Sequence, residues 1–327
     1  MTEAGPKIEE IRALRERQSG QIIETPLMRC AAIESRLDNG TEVLAKLEFL
    51  QRTGTFKARG ALATLQSLPA EEKKNGVTAV SAGNHAIATA FAAKATGTTA
   101  KVVMMRSANP SRVASCKSYG AEVVIAEDVH QAFELAQKIC DQEGRFFVHP
   151  FEGENIALGT GTVGLEVCEQ VGDFDAIVIP VGGGGLIAGI SNAVKQLRPN
   201  VEVIGVEPLG ADSMHRSFAS GKPESIEKIS TIADSLGAPY ALPYSFGLAR
   251  RNVDRLVKVD DREIRKAMGF LFHSMSIAVE PACATSTAAL LGPLRDSLRN
   301  KRVVLIMCGS NIDWATFSDQ ADFDVVN

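Results

Sequence analysis

Ala176-Ile177-Val178-Ile179-Pro180-Val181-Gly182-Gly183-Gly184-Gly185-Leu186 carries an apolar segment directly into four consecutive glycines. The apolar half reads as a buried strand, and residues 185–197 read as an apolar helix. Between them the glycine run costs conformational entropy on folding, which makes sense where the backbone must approach another group closely. A strand, a glycine turn and a helix N-terminus form an anion site, because free N–H groups and the helix dipole both favour negative charge. Phosphate is the natural guest; the alternative is a tight strand-to-helix turn with no ligand. There is no G-x-x-x-x-G-K-[ST] loop for a nucleoside triphosphate. Nor is the run a G-x-G-x-x-G with a ribose-gripping acid about 20 residues on, although Glu207 stands near that distance. A phosphate carried on a small cofactor fits better.

Working outward, short Val- and Ile-rich runs alternate with helical patterns. Residues 43–47, 77–81, 100–104, 122–125, 176–180, 201–206 and 303–307 read as strands, mostly without polar alternation, as buried parallel strands do. Helices are expected over 56–68, 84–95, 110–119, 129–143, 155–170, 185–197 and 262–273. This order predicts an α/β protein with two doubly wound open sheets and ligands at the carboxyl ends of the strands. Residues 76–151, closed by His149-Pro150-Phe151, form a compact series of β-α units and a candidate small domain. Residues 1–75 and 152–327 then make the large domain, and the cleft between the lobes is the expected binding site. Residues 237–244, rich in Pro and aromatic side chains, read as one irregular loop suited to recognition.

Composition narrows the function classes. Of 327 residues, 45% are hydrophobic and 23% charged, ordinary values for a globular protein; the net charge of -4 provides no field to gather nucleic acid. No apolar run approaches the ~18 residues that suggest a membrane span, and residues 1–18 are charged throughout, unlike a secretory signal. The six cysteines lie far apart without a C-x-x-C pair, which argues against a disulfide framework or a zinc site and for reduced thiols in the cytoplasm.

Three further segments carry chemistry. Thr53-Gly54-Thr55-Phe56-Lys57-Ala58-Arg59-Gly60 places a lysine between an aromatic and a small residue where a polar loop gives way to a helix. An amine held there can form a Schiff base, although most lysines are simply solvated. Ser81-Ala82-Gly83-Asn84-His85 follows a strand at the start of an Ala-rich helix. Its N–H groups and hydroxyl can hold a carboxylate and the Asn84 amide can donate to a phenolate-like oxygen, while helix capping by Ser and Asn is the local alternative. Cys308-Gly309-Ser310-Asn311 ends a strand, where a thiol can face a neutral ring nitrogen or be merely a buried core cysteine.

In this order and spacing, T-G-T-F-K-A-R-G-A, S-A-G-N-H-A, V-G-G-G-G-L and C-G-S-N-I resemble the pyridoxal-phosphate enzymes of fold type II, tryptophan synthase β-like, in the threonine and serine dehydratase branch that also contains serine racemase. The resemblance spans nearly the whole chain; His149-Pro150-Phe151, Gly159-Thr160-Gly161-Thr162, Val206-Glu207-Pro208, Thr231-Ile232-Ala233-Asp234 and Val279-Glu280-Pro281-Ala282 fit it too. It implies that Lys57 carries the pyridoxal 5'-phosphate and acts as base at Cα, with Phe56 against the cofactor ring. It further implies that Gly182, Gly183, Gly184, Gly185 and Leu186 bind the cofactor at its phosphate, that Asn84 meets its 3' oxygen, and that Cys308 faces its ring nitrogen. Ser81, Ala82, Gly83 and His85 correspond to the substrate-carboxylate loop.

The implied activity is β-elimination from a β-hydroxy amino acid such as threonine or serine, releasing a 2-oxo acid and ammonia. Amino-acid racemisation on the same scaffold is the alternative, and 3-hydroxyaspartate, phenylserine or a hydroxyectoine-derived compound are alternative substrates for elimination. A non-catalytic phosphate or dinucleotide binder would need the glycine run but not Lys57. Departures from the family pattern refine the expectation. Racemases of the branch carry a serine where this chain has Ala82, and alanine delivers no proton. The divalent-cation pattern E-P-x-x-A-x-D reads here Glu207-Pro208-Leu209-Gly210-Ala211-Asp212-Ser213, which predicts no metal site. Ser235 and Ile87 replace a usual Gly and Gln near the cleft. The chain ends about twenty residues after Cys308, so no regulatory domain is expected, and a cytoplasmic homodimer is.

Overall fold

The computed structural model describes residues 4–324; residues 1–3 and 325–327, the outer ends of the expected large domain, lie outside the described residues. In chain order the strands are β1 Leu27–Arg29, β2 Glu42–Leu47, β3 Val77–Val80, β4 Ala100–Met105, β5 Glu122–Ala126, β6 Phe146–Phe147, β7 Ala176–Pro180, β8 Glu202–Pro208, β9 Arg255–Val259 and β10 Arg302–Met307. They form a six-stranded sheet in the order β1-β2-β10-β7-β8-β9 and a four-stranded sheet in the order β5-β4-β3-β6. Every pairing is parallel except β1 with β2. The expected pair of parallel-rich α/β sheets is therefore present, and buried Val, Ile and Ala dominate their central strands, which helices cover.

The seven expected strands and seven expected helices all form, with ends identical or shifted by one or two residues. Strands β1, β6 and β9 were not anticipated. Each is a sheet edge, and β9, Arg255-Leu256-Val257-Lys258-Val259, is only half buried and carries charge, so it lacks the buried signature of the interior strands. Helix Pro281–Leu291 also escapes a periodicity reading, because it is buried all round and has no polar face. The expected loop 237–244 is corrected at its end: Pro243 occupies the first turn of helix Pro243–Asn252, where proline loses no hydrogen bond. The Glu152 carboxylate accepts from Tyr244 N and Ser245 N and so caps that helix from a distance in sequence.

The topology places the motifs. The glycine run follows β7, Cys308 follows β10 beside it, and Ser81 follows β3 in the smaller sheet, all at carboxyl ends. Helix Lys57–Ser67 buries Ala58, Ala61, Leu62 and Leu65 with Ala86, Ala90 and Phe91 of helix Asn84–Ala95 in the core of the four-stranded sheet. That core thus draws on residues before position 76.

Candidate active site

The Lys57 loop is built against the Cys308 loop. Phe56 N donates to Cys308 O at 3.1 Å, Ser310 N donates to Gly54 O at 3.0 Å, and Thr55 bridges Gly309. Thr53 holds φ 70, a left-handed conformation uncommon for a β-branched residue, and its carbonyl is anchored by Asn311 Nδ2 at 2.7 Å. The same Asn311 amide donates to Asn84 Oδ1 at 2.8 Å. Three of the four sequence motifs are thereby hydrogen-bonded to one another.

The fourth closes the cleft. Gly184 adopts φ +93, open to glycine but strained for other residues, and turns the chain from β7 into helix Gly185–Leu197. A Cβ at Gly183 would sit 2.3 Å from the Phe151 ring, so the loop passes directly beneath that ring. Thr160 Oγ1 donates to Gly185 O at 2.8 Å and Ser245 Oγ to Phe151 O at 2.6 Å, fixing loop and ring together. The resulting cavity is walled by Phe56, Lys57, Asn84, residues 182–186, Ser235, Glu280 and Cys308. His85 lines the adjoining hollow with Lys57, Pro150 and Ile156. Ser81, Ala82 and Gly83 lie in the turn before helix Asn84–Ala95, outside that wall; Ser81 Oγ accepts from Gly83 N at 3.1 Å, and Gly83 backs onto Arg112.

Burial sets the protonation. Lys57 Nζ donates to Pro150 O at 2.6 Å, and desolvation lowers its pKa to about 8, with Cys308 and Glu280 acting in the opposite direction. His85 gives Nε2 to Val148 O at 2.8 Å, and burial together with the Lys57 charge lowers its pKa to about 3, leaving it neutral. His149 is lowered to about 4 by the same two causes. The Cys308 thiol is raised well above its ordinary value, first by a hydrogen bond with Cys283 and then by burial, so it stays protonated.

Sequence reasoning missed a polar cluster at the far wall. Asn84 Nδ2 donates to Glu280 Oε1 at 2.8 Å and to Ser235 Oγ at 3.2 Å, so the amide expected to face a ligand already has protein partners. Glu280 is buried, and desolvation raises its pKa to about 7 against the attraction of Arg112. Arg112 donates to Asp234 Oδ2 at 2.6 Å and to Asn311 O at 2.9 Å, joining segments far apart in the chain. The signals in the sequence were Ser235, a departure from the family pattern, and the segments holding Asp234 and Glu280, whose reading stops at their fit to that pattern. In the segment that departs from the divalent-cation pattern, Glu207 accepts from Met214 N, His215 N and His215 Nδ1, and Asp212 from Arg216 and Lys258.

The donor set fits pyridoxal phosphate. The glycine turn offers helix-terminal N–H groups for a phosphate, Lys57 offers an amine of lowered pKa, and Cys308 offers a neutral thiol in place of a carboxylate.

Comparison with known proteins agrees. The family model described as pyridoxal-phosphate dependent enzyme matches residues 18–309. The chain is 52% identical over 313 residues to phenylserine dehydratase of Ralstonia pickettii, covering 96% of this chain and 95% of that protein. It is 36% identical to the catabolic L-threonine dehydratase TdcB of Escherichia coli K12, covering 97% and 96%. The solved structure of maize serine racemase superposes with a TM-score of 0.91 at 32% identity, covering 97% of each chain. An ammonia-lyase activity on a β-hydroxy amino acid fits these relatives and this site. The chain belongs to the pyridoxal-phosphate-dependent enzyme family, on the fold type II scaffold shared by serine racemase and threonine deaminase.

Proposed function

We propose that this chain is a dehydratase for a β-aryl β-hydroxy amino acid of the phenylserine type, releasing an aryl 2-oxo acid and ammonia. The observation that carries the aryl class is Tyr240, which lies outside the shared motifs and extends the aromatic corner beside the Lys57 amine. Pro150, whose carbonyl accepts from Lys57, is flanked by His149 and Phe151, whose rings meet edge to face at 4.7 Å, and Tyr240 packs on Phe151 at 5.9 Å. The 52% identity to phenylserine dehydratase supports the same reading.

In this reading Lys57 binds the cofactor and moves the Cα proton, and residues 182–186 hold the phosphate through backbone N–H groups. Phe56 packs on the ring, Cys308 meets the ring nitrogen with a neutral thiol, and Asn84 orients toward the phenolic oxygen. Ser81, Gly83 and His85 receive the substrate carboxylate with Ala82 among them. Bound pyridoxal phosphate supplies the electron sink that allows the Cα proton and the β-hydroxyl to depart. Ala82 has no proton to give, so Lys57 is the only protein base at Cα and elimination outruns racemisation. Residues 76–151 act as the small lobe, and 1–75 with 152–327 as the large one, with helix Lys57–Ser67 of the latter packed into the core of the smaller sheet. We also place the enzyme in the cytoplasm, in keeping with six free cysteines, and as a homodimer, which the family resemblance implies.

The test is 2-oxo acid release by the holoenzyme from phenylserine, threonine, serine and 3-hydroxyaspartate. The reading expects the highest kcat/KM with phenylserine; a higher value with threonine or serine contradicts it.

A further inference from the structure

A second cavity, of about 400 Å³, opens between helices Ala31–Leu37, Asp261–Met275 and Pro281–Leu291 and shares no residue with the cleft. Its floor is apolar, formed by Leu37 and Phe270 with the half-buried Leu291 beside them. Its rim is cationic: Arg36, Lys266 and Arg295 all line it. Arg295 gives Nη2 to Leu37 O at 3.0 Å, and neither the Arg36 nor the Lys266 side chain has a hydrogen-bond or ion-pair partner among the described residues. Glu263, the one carboxylate in the lining, accepts from Asp260 N at 2.8 Å and closes the capping box of its own helix. Three cations thus face one committed acid, on a chain whose net charge is -4.

This chemistry selects a ligand. Unpaired guanidinium and ammonium groups recognise an anion, and an apolar floor recognises a hydrocarbon body. The volume lies within the roughly 300–1,000 Å³ of small-molecule sites. We propose that this cavity binds a small carboxylate with an apolar body, its carboxylate at Arg36 and Lys266 and its body over Phe270.

The test is a ¹⁹F NMR titration of the holoenzyme with 4-fluorophenylacetate, which has neither an amino nor a keto group to condense in the cleft. Saturable one-to-one binding is expected, weakened about tenfold or more in the Arg36→Gln/Lys266→Gln variant. 4-Fluorophenethylamine, the same body with a positive charge, should not bind. Arg36 is exposed, Lys266 is half-buried, and both lie away from the cleft, so 2-oxo acid release and Tm should match the parent; a single Arg295→Gln variant carries the same expectation for binding should the double variant fail to fold. Absence of saturable binding, equal affinity in parent and variant, or equal binding of the amine would each overturn the proposal.

Discussion

Lys57 Nζ donates to Pro150 O at 2.6 Å, which ties the first turn of helix Lys57–Ser67 to the His149-Pro150-Phe151 corner and gives the amine a single hydrogen-bond partner among the described residues. The carbonyl is a neutral acceptor, so it does not hold the amine protonated as a carboxylate would. Desolvation therefore prevails and the pKa falls to about 8.

The first prediction concerns pH. The neutral amine captures the cofactor, so below about 8 the neutral fraction of Lys57 rises tenfold per pH unit and above it the gain levels off. The rate at which apoenzyme takes up pyridoxal phosphate, followed by absorbance, should trace that curve. A rate still climbing steeply above pH 10 would place the amine at its ordinary value.

Substitution at Ala82 tests the proposed preference for elimination over racemisation. Ala82→Ser restores a hydroxyl in the Ser81-to-His85 loop and should raise racemisation relative to 2-oxo acid release. Chiral chromatography of residual serine measures it; an unchanged ratio would remove Ala82 from the argument.

Gly183→Ala puts a Cβ 2.3 Å from the Phe151 ring, so ring or loop must move. Cofactor affinity should fall roughly tenfold or more, about 1.4 kcal/mol, measured by equilibrium dialysis of pyridoxal phosphate.

Arg59 of helix Lys57–Ser67 belongs to a buried ionic cluster. Arg59 pairs with Glu48 at 2.8 Å and Glu166 at 2.6 Å, Lys46 pairs with Glu166 at 2.5 Å, and all four side chains are buried. Arg59→Met leaves an excess of buried carboxylate and should cost about 3–5 kcal/mol in urea unfolding. A loss below about 1 kcal/mol would mean that solvent or relaxation compensates the exposed charges.

Much of this site was legible in the chain because its parts are local. The glycine run and the loops around Lys57, Asn84 and Cys308 each follow a strand, and strand, turn and helix start can be read within about ten residues. Glu280, Arg112 and Asp234 were not legible as a cluster. They are brought together only by the folding of distant segments, and each alone has an ordinary local reading, Glu280 as the residue before a proline-started helix. The edge strand β9 and the fully buried helix Pro281–Leu291 escaped for the converse reason: one is too polar and the other too uniformly apolar for periodicity to show. The placement of Lys57's helix in the core of the smaller sheet is likewise a tertiary fact that helix propensity does not carry.

The claim on which the rest depends is that Lys57 is the amine that takes the cofactor. Borohydride reduction of the holoenzyme, followed by digestion and mass spectrometry, tests it directly. The account predicts one phosphopyridoxyl group per chain, on the peptide containing Thr55-Phe56-Lys57, with loss of the visible absorbance in Lys57→Ala. The adduct on any other lysine, or an absorbance that survives Lys57→Ala, would contradict it.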